Sequence, residues 1–132
     1  MRIDDNNYVD KAESVIKGLS IMTDKSGNKK KAQMIKTSKI RNLLAMVSDI
    51  YNDVLNLTGD KLPEEIVGRI SYMRMKFYYE AGREKQVKEL FEKSEVLEIL
   101  KEIGTSKANY MIFSRYMESL VAFRKFYGDK DD

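Results

Sequence analysis

Between Thr37 and Leu57 the chain reads T-S-K-I-R-N-L-L-A-M-V-S-D-I-Y-N-D-V-L-N-L, with apolar residues at Ile40, Leu43, Val47, Ile50, Val54 and Leu57. Steps that alternate between three and four residues place all six on one stripe of an α-helix, so this segment is predicted to be the central core helix. Leu44, Tyr51 and Leu55 widen the stripe beyond a two-stranded coiled-coil seam. A stripe that broad needs neighbours on more than one side, which a bundle supplies and a lone zipper does not. Thr37 or Ser38 is placed to cap the first backbone N–H groups. Lys36, Lys39 and Arg41 crowd the same turn, against the positive end of the helix dipole. Their charge is either solvated or set to meet an anion.

The remaining sequence continues the helical pattern. At 132 residues the chain is expected to be one domain spanning 1–132, able to bury roughly 65–70% of its unfolded surface. One proline, 34% charged and 42% hydrophobic residues fit an all-α fold, and the periodic segments suggest a compact single-domain bundle of about five to six helices. Residues 1–7 and 129–132 are polar and expected to fray. A first helix runs from Tyr8 through Val9, Ala12, Val15, Ile16, Leu19 and Met22. The stretch 23–31, T-D-K-S-G-N-K-K-K, is expected to be a mobile basic loop. Such a loop is a solvated linker in one reading and a phosphate contact in another.

Gly59 and Pro63 mark a reversal after the central helix. The next helix, about Glu64 to Ala81, turns Ile66, Ile70, Met73 and Phe77 inward before Gly82 ends it. A short helix follows from Glu84 to Lys93, with Val87, Leu90 and Phe91 inward. Ser94 then caps a segment running through Val96, Leu97, Ile99 and Leu100 to Ile103. Gly104 closes it. The last helix starts near Thr105 or Ser106 and continues to Tyr127, turning Ile112, Phe113, Tyr116, Leu120, Phe123 and Phe126 inward or nearly so.

Composition removes several kinds of chemistry. There is no cysteine and no histidine, which excludes thiol catalysis and disulfides and takes away the commonest general base and metal ligand. Asp49 with Asp53, and Glu80 with Glu84, stand four residues apart. Both pairs lie off the apolar stripes and read as solvated faces rather than as a carboxylate metal site. No phosphate-binding loop, dinucleotide fingerprint or nucleophile elbow occurs. The chain is expected to be non-catalytic, with no cofactor and no metal. Without a secretion signal or a run of spanning length, it is expected to be cytoplasmic, with no membrane partner.

The net charge is +3, but the acids concentrate at the ends. Without residues 1–10 and 129–132 the chain keeps 22 basic against 15 acidic side chains, enough to attract a polyanion weakly. Arg69, Tyr72, Lys76 and Tyr79 follow one another at steps of three, four and three, and so share an arc of about 80° on one helix. Cations alternating with aromatic rings suit a single-stranded nucleic acid, phosphates meeting the charge and bases stacking on the rings. Tyrosines that merely pack half-buried in the bundle are the competing interpretation.

Three stretches, T-S-K-I-R-N at 37–42, M-K-F-Y-Y-E-A-G-R-E at 75–84 and L-V-A-F-R-K-F-Y-G at 120–128, together resemble the small subunit of the type III-A CRISPR interference complex, the Csm effector. The resemblance covers about residues 35–130. It implies a small helical, non-enzymatic protein that stacks in several copies as an inner filament. Its partners would be the target RNA and guide RNA, the backbone and large subunits, and neighbouring copies of itself. The matching positions make Lys39, Arg41, Lys76, Arg83, Arg124 and Lys125 the candidate RNA contacts. Arg69 joins them from the arc, and Lys88 and Arg115 from expected surface placement. The rival is a helical protein–protein adaptor whose basic surface meets an acidic partner and no RNA.

Overall fold

The computed structural model describes residues 1–128; the expectation that 129–132 fray lies outside them. Helices α1 (Tyr8–Leu19), α2 (Thr37–Leu55), α3 (Glu64–Arg83), α4 (Lys85–Ser94), α5 (Val96–Glu102) and α6 (Lys107–Tyr127) are joined by a small hairpin, β1 (Ile21–Thr23) and β2 (Lys29–Lys31). The fold is mostly helical, as the periodicity predicts. Neighbouring helices close a ring in the order α1, α6, α2, α3, α4 and back to α1, with α5 set against α3, α4 and α6. This ring explains why the α2 stripe is broad, because α2 packs against α6 on one flank and α3 on the other. Ile40, Leu43, Val47, Ile50 and Val54 are buried.

Long side chains of α6 reach carbonyl oxygens on three other parts of the chain. The Tyr110 hydroxyl donates to the Val47 carbonyl of α2 at 2.7 Å, and the Tyr116 hydroxyl to the Ser94 carbonyl at 2.9 Å. The second bond satisfies one of the carbonyls that the end of α4 leaves without a helical donor. Arg124 Nε donates to the Ile35 carbonyl at 2.6 Å, holding the segment that leads into α2. Burial pushes both tyrosine hydroxyls well above their ordinary pKa, so they remain donors. Phe77 of α3 stacks on Phe91 of α4 with ring centroids 5.1 Å apart, joining the other side of the ring.

Several local expectations are corrected. Residues 1–7 are pinned rather than frayed: Ile3 is only 1% exposed, and Arg2 forms ion pairs with Glu95 and Glu102 at 2.6 and 2.9 Å. The Asp4 and Asn7 side chains accept from each other's backbone N–H groups at 2.8 and 2.9 Å, fixing the turn that enters α1. The stretch 23–31 contributes to a hairpin, with Ile21 opposite Lys31 and Thr23 opposite Lys29. Asp24 accepts from Ser26 and Asn28, and Gly27 supplies φ +83° for the turn. Every residue of the two strands is exposed.

The first turn of α2 has no side-chain cap, and Lys36 stands at the N-cap position. Helix α2 stops at Leu55, short of Leu57, while α3 runs through Gly82 to Arg83. The break between α4 and α5 is made by Glu95, at φ +62°, and Ser94 closes α4 instead of capping α5. At α6 the expected cap is present: Ser106 accepts from the Asn109 N–H at 3.1 Å. Phe126, expected to turn inward, is 77% exposed because the helical period carries it roughly 150° around α6 from the buried side made by Phe113, Met117, Leu120 and Arg124.

Candidate nucleic-acid interface

Helix α3 has a buried side made by Ile66, Ile70, Met73, Phe77 and Ala81. The helical period then carries Arg69, Tyr72, Lys76, Tyr79 and Arg83 onto an adjoining arc of about 80°. Tyr72 and Tyr79 are 58% and 63% exposed, so the half-buried alternative does not hold for them. The Lys76 ammonium sits 4.8 Å from the centre of the Tyr72 ring, and the Arg83 guanidinium 5.9 Å from that of Tyr79. Both rings are thereby held next to a cation. Met75 and Tyr78, also exposed, extend the outer side of the helix.

Beside this arc a groove of about 460 Å³ opens between α2 and α3. Met46, Ile50 and Met73 line its apolar part, Tyr72, Arg69 and Lys76 bring aromatic and cationic groups, and Asp49 and Glu65 add carboxylates. Nothing lies within 4 Å of the place a side chain would occupy at Gly68, so this glycine keeps the groove open.

The other candidate cations are scattered. Lys39 is turned inward toward α3, where its ammonium donates to Glu80 and lies 3.9 Å from Glu84. Arg41, two residues on, points roughly 160° away around the axis and is exposed on the opposite flank. The two therefore do not form a shared phosphate site at the start of α2. Lys88 is exposed beside an apolar depression of about 270 Å³ lined by Tyr78, Phe91 and Leu97. On α6, Arg115 is exposed and lies 3.7 Å from Asp5, and Lys125 is exposed near the helix end.

Arg124 is the clear correction. It is 1% exposed, held on the Ile35 carbonyl and packed under Gly128, where an added methyl would collide with the guanidinium. Burial of its stem together with a charge-assisted hydrogen bond makes it a packing residue rather than a surface contact.

The carboxylates that partner the cations were missed by sequence reasoning. Asp53 accepts from Arg69 at 2.5 Å, and Glu80 and Glu84 lie 3.7 and 3.8 Å from Arg83. Glu80 is no solvated face: its side chain is only 16% exposed, and the Lys39 ammonium holds its carboxyl below the usual carboxylate range. The spacing of Glu80 and Arg83 along one helix was a usable signal. The pairing with Lys39, 41 residues away, left none. Among the described residues, no group of three or more acidic side chains is gathered to hold a metal, and no helix is long and apolar enough to cross a membrane.

The type III-A Csm2 family matches residues 13–130. The chain belongs to this family, the small subunits of the type III-A CRISPR Csm complex. A Streptococcus thermophilus relative named "CRISPR system Cms protein Csm2" is 44% identical over 127 residues, 96% of each chain. A Mycobacterium tuberculosis relative with the same name is 32% identical over 131 residues, 99% of each. The Csm2 match thus takes in α2, α3 and α6, the helices that carry the three sequence stretches, and most of α1.

Proposed function

We propose that the chain acts as a non-catalytic Csm2 subunit that lays the outer arc of α3 along the sugar–phosphate backbone of RNA. The observation that carries this reading is the run Arg69, Tyr72, Lys76, Tyr79 and Arg83, with both tyrosine rings exposed and two of the cations poised over them. From Arg69 to Arg83 the arc is about 21 Å long at 1.5 Å per residue, enough to follow several nucleotides. Cations on a helix surface track phosphates without reading sequence, and sequence choice is left to pairing between guide and target. Arg41, Lys88, Arg115 and Lys125, exposed on other faces, suit contacts with further RNA or with other subunits. The exposed Phe126 and the apolar depression beside Lys88 favour protein neighbours, among them further copies of the chain stacked in a filament.

Fluorescence anisotropy with single-stranded RNA tests this directly. Binding by one copy should be weak, indifferent to sequence, and fall with salt at a log–log slope no steeper than about −2, the limit reached when all three cations meet a phosphate. Charge reversal at Arg69, Lys76 and Arg83 together should abolish it while circular dichroism stays unchanged. A triple variant that keeps its RNA affinity would remove α3 from the interface and favour the adaptor without RNA contact. Several copies on one RNA should bind far more tightly than one, since each later contact is intramolecular.

A further inference from the structure

The cations of the α3 face are held unevenly by carboxylates of the same chain. At one end Arg69 donates to Asp53 at 2.5 Å. At the other, Lys39 donates to Glu80, while Arg83 lies 3.7 Å from Glu80 and 3.8 Å from Glu84. Glu80 thus stands between two cations from different helices, and the Lys39 and Glu80 side chains are 19% and 16% exposed. Between the two ends, Lys76 forms no ion pair among the described residues and rests over the Tyr72 ring.

A carboxylate and a phosphate present the same kind of acceptor to an ammonium or a guanidinium. A cation already neutralised within the protein neutralises less phosphate charge and releases fewer of the RNA's condensed counterions, so its contribution to binding is reduced at the outset. We propose that Glu80, with Asp53 as a lesser counterpart, is a built-in competitor for RNA phosphate that masks Lys39 and Arg83 and keeps the affinity of a single copy low. The proposal rests on the RNA-binding reading above. RNA reaches the masked cations only by displacing a carboxylate, so a stray strand meets chiefly Lys76. A strand held along many stacked copies can overcome the competition at each one. The covered position of Glu80 makes it the stronger mask, whereas the Asp53 side chain is 57% exposed and its hold on Arg69 is weakened by solvent.

The test is anisotropy of labelled single-stranded RNA with the full chain, at salt concentrations from about 50 to 200 mM. Glu80→Gln is compared with Glu118→Gln, an equal change of charge at an exposed position on α6. Glu80→Gln should bind about fivefold more tightly and steepen the salt slope by about 1.4, the share of two added phosphate contacts. Glu118→Gln should stay within about twofold, the effect of net charge alone. Asp53→Asn should tighten binding about twofold and steepen the slope by about 0.7. It carries the test if Glu80→Gln melts below the assay temperature. Equal effects of Glu80→Gln and Glu118→Gln, or weaker binding by Glu80→Gln, overturn the proposal. Failure of the proposal alone shows as Lys76→Glu weakening RNA binding while Glu80→Gln and Asp53→Asn leave it unchanged. Failure of the RNA reading itself shows as no salt-sensitive binding by the parent chain or any variant.

Discussion

Replacing Arg124 by alanine separates a cation of the interior from a cation of the RNA surface, the role its sequence motif implied. The side chain is 1% exposed, and Nε donates to the Ile35 carbonyl at 2.6 Å. A charge-assisted hydrogen bond of this kind contributes about 1.5–3 kcal/mol. Truncation also strips away two methylenes of packed stem, at about 0.8 kcal/mol each. Relief from burying a guanidinium offsets part of the sum. The expected net loss is about 2–4 kcal/mol, which for a chain of this length lowers the melting temperature by roughly 7–14 °C. Arg124→Met keeps most of the stem and should lose only about 1.5–3 kcal/mol, the hydrogen-bond share. Urea unfolding followed by circular dichroism measures both, and RNA anisotropy at a temperature where the variants are folded should show unchanged affinity. Unaltered stability together with weaker RNA binding would refute the reasoning and return Arg124 to the surface.

Two further changes probe other parts of the framework. Tyr110→Phe removes the donor to the Val47 carbonyl. That oxygen also serves the α2 ladder, so the cost should be about 1 kcal/mol in urea unfolding, and a loss above about 3 kcal/mol would mean the ring had moved. Glu80 and Glu102 both titrate below the ordinary glutamate range in the folded chain, held chiefly by hydrogen bonds from Lys39 and Arg2. The unfolded chain therefore binds more protons at acidic pH. The stabilisation is fully present above the unfolded value of about 4.3 and is lost as pH falls through the depressed folded values. Melting temperatures taken from pH 7 down to 3 should fall less steeply in Glu80→Gln/Glu102→Gln than in the parent, and parallel curves would contradict the assignment.

The α2 stripe and the buried side of α3 were legible because a period of three and four residues reports which side of a helix faces inward, whatever it meets there. The same period placed Arg69, Tyr72, Lys76 and Tyr79 on one arc. Apolar character alone does not bring a residue inward: Phe126 lies on the side of α6 away from Phe113, Leu120 and Arg124 and stays exposed, and Tyr72 and Tyr79 are exposed beside their cations.

Nor does residue type alone say which cations stay at the surface. Arg124 and Lys125 are neighbours in one motif, but only the first can reach the Ile35 carbonyl, 89 residues earlier in the chain. Lys39 meets Glu80 across 41 residues in the same way. Hydrogen bonds and ion pairs of that length depend on how helices are brought together, and a local pattern carries no trace of them. The sequence by itself therefore determined the helices, their inward sides and the charged aromatic arc. Tertiary structure decided which charges were already satisfied within the chain, because a cation's availability depends on its neighbours in space.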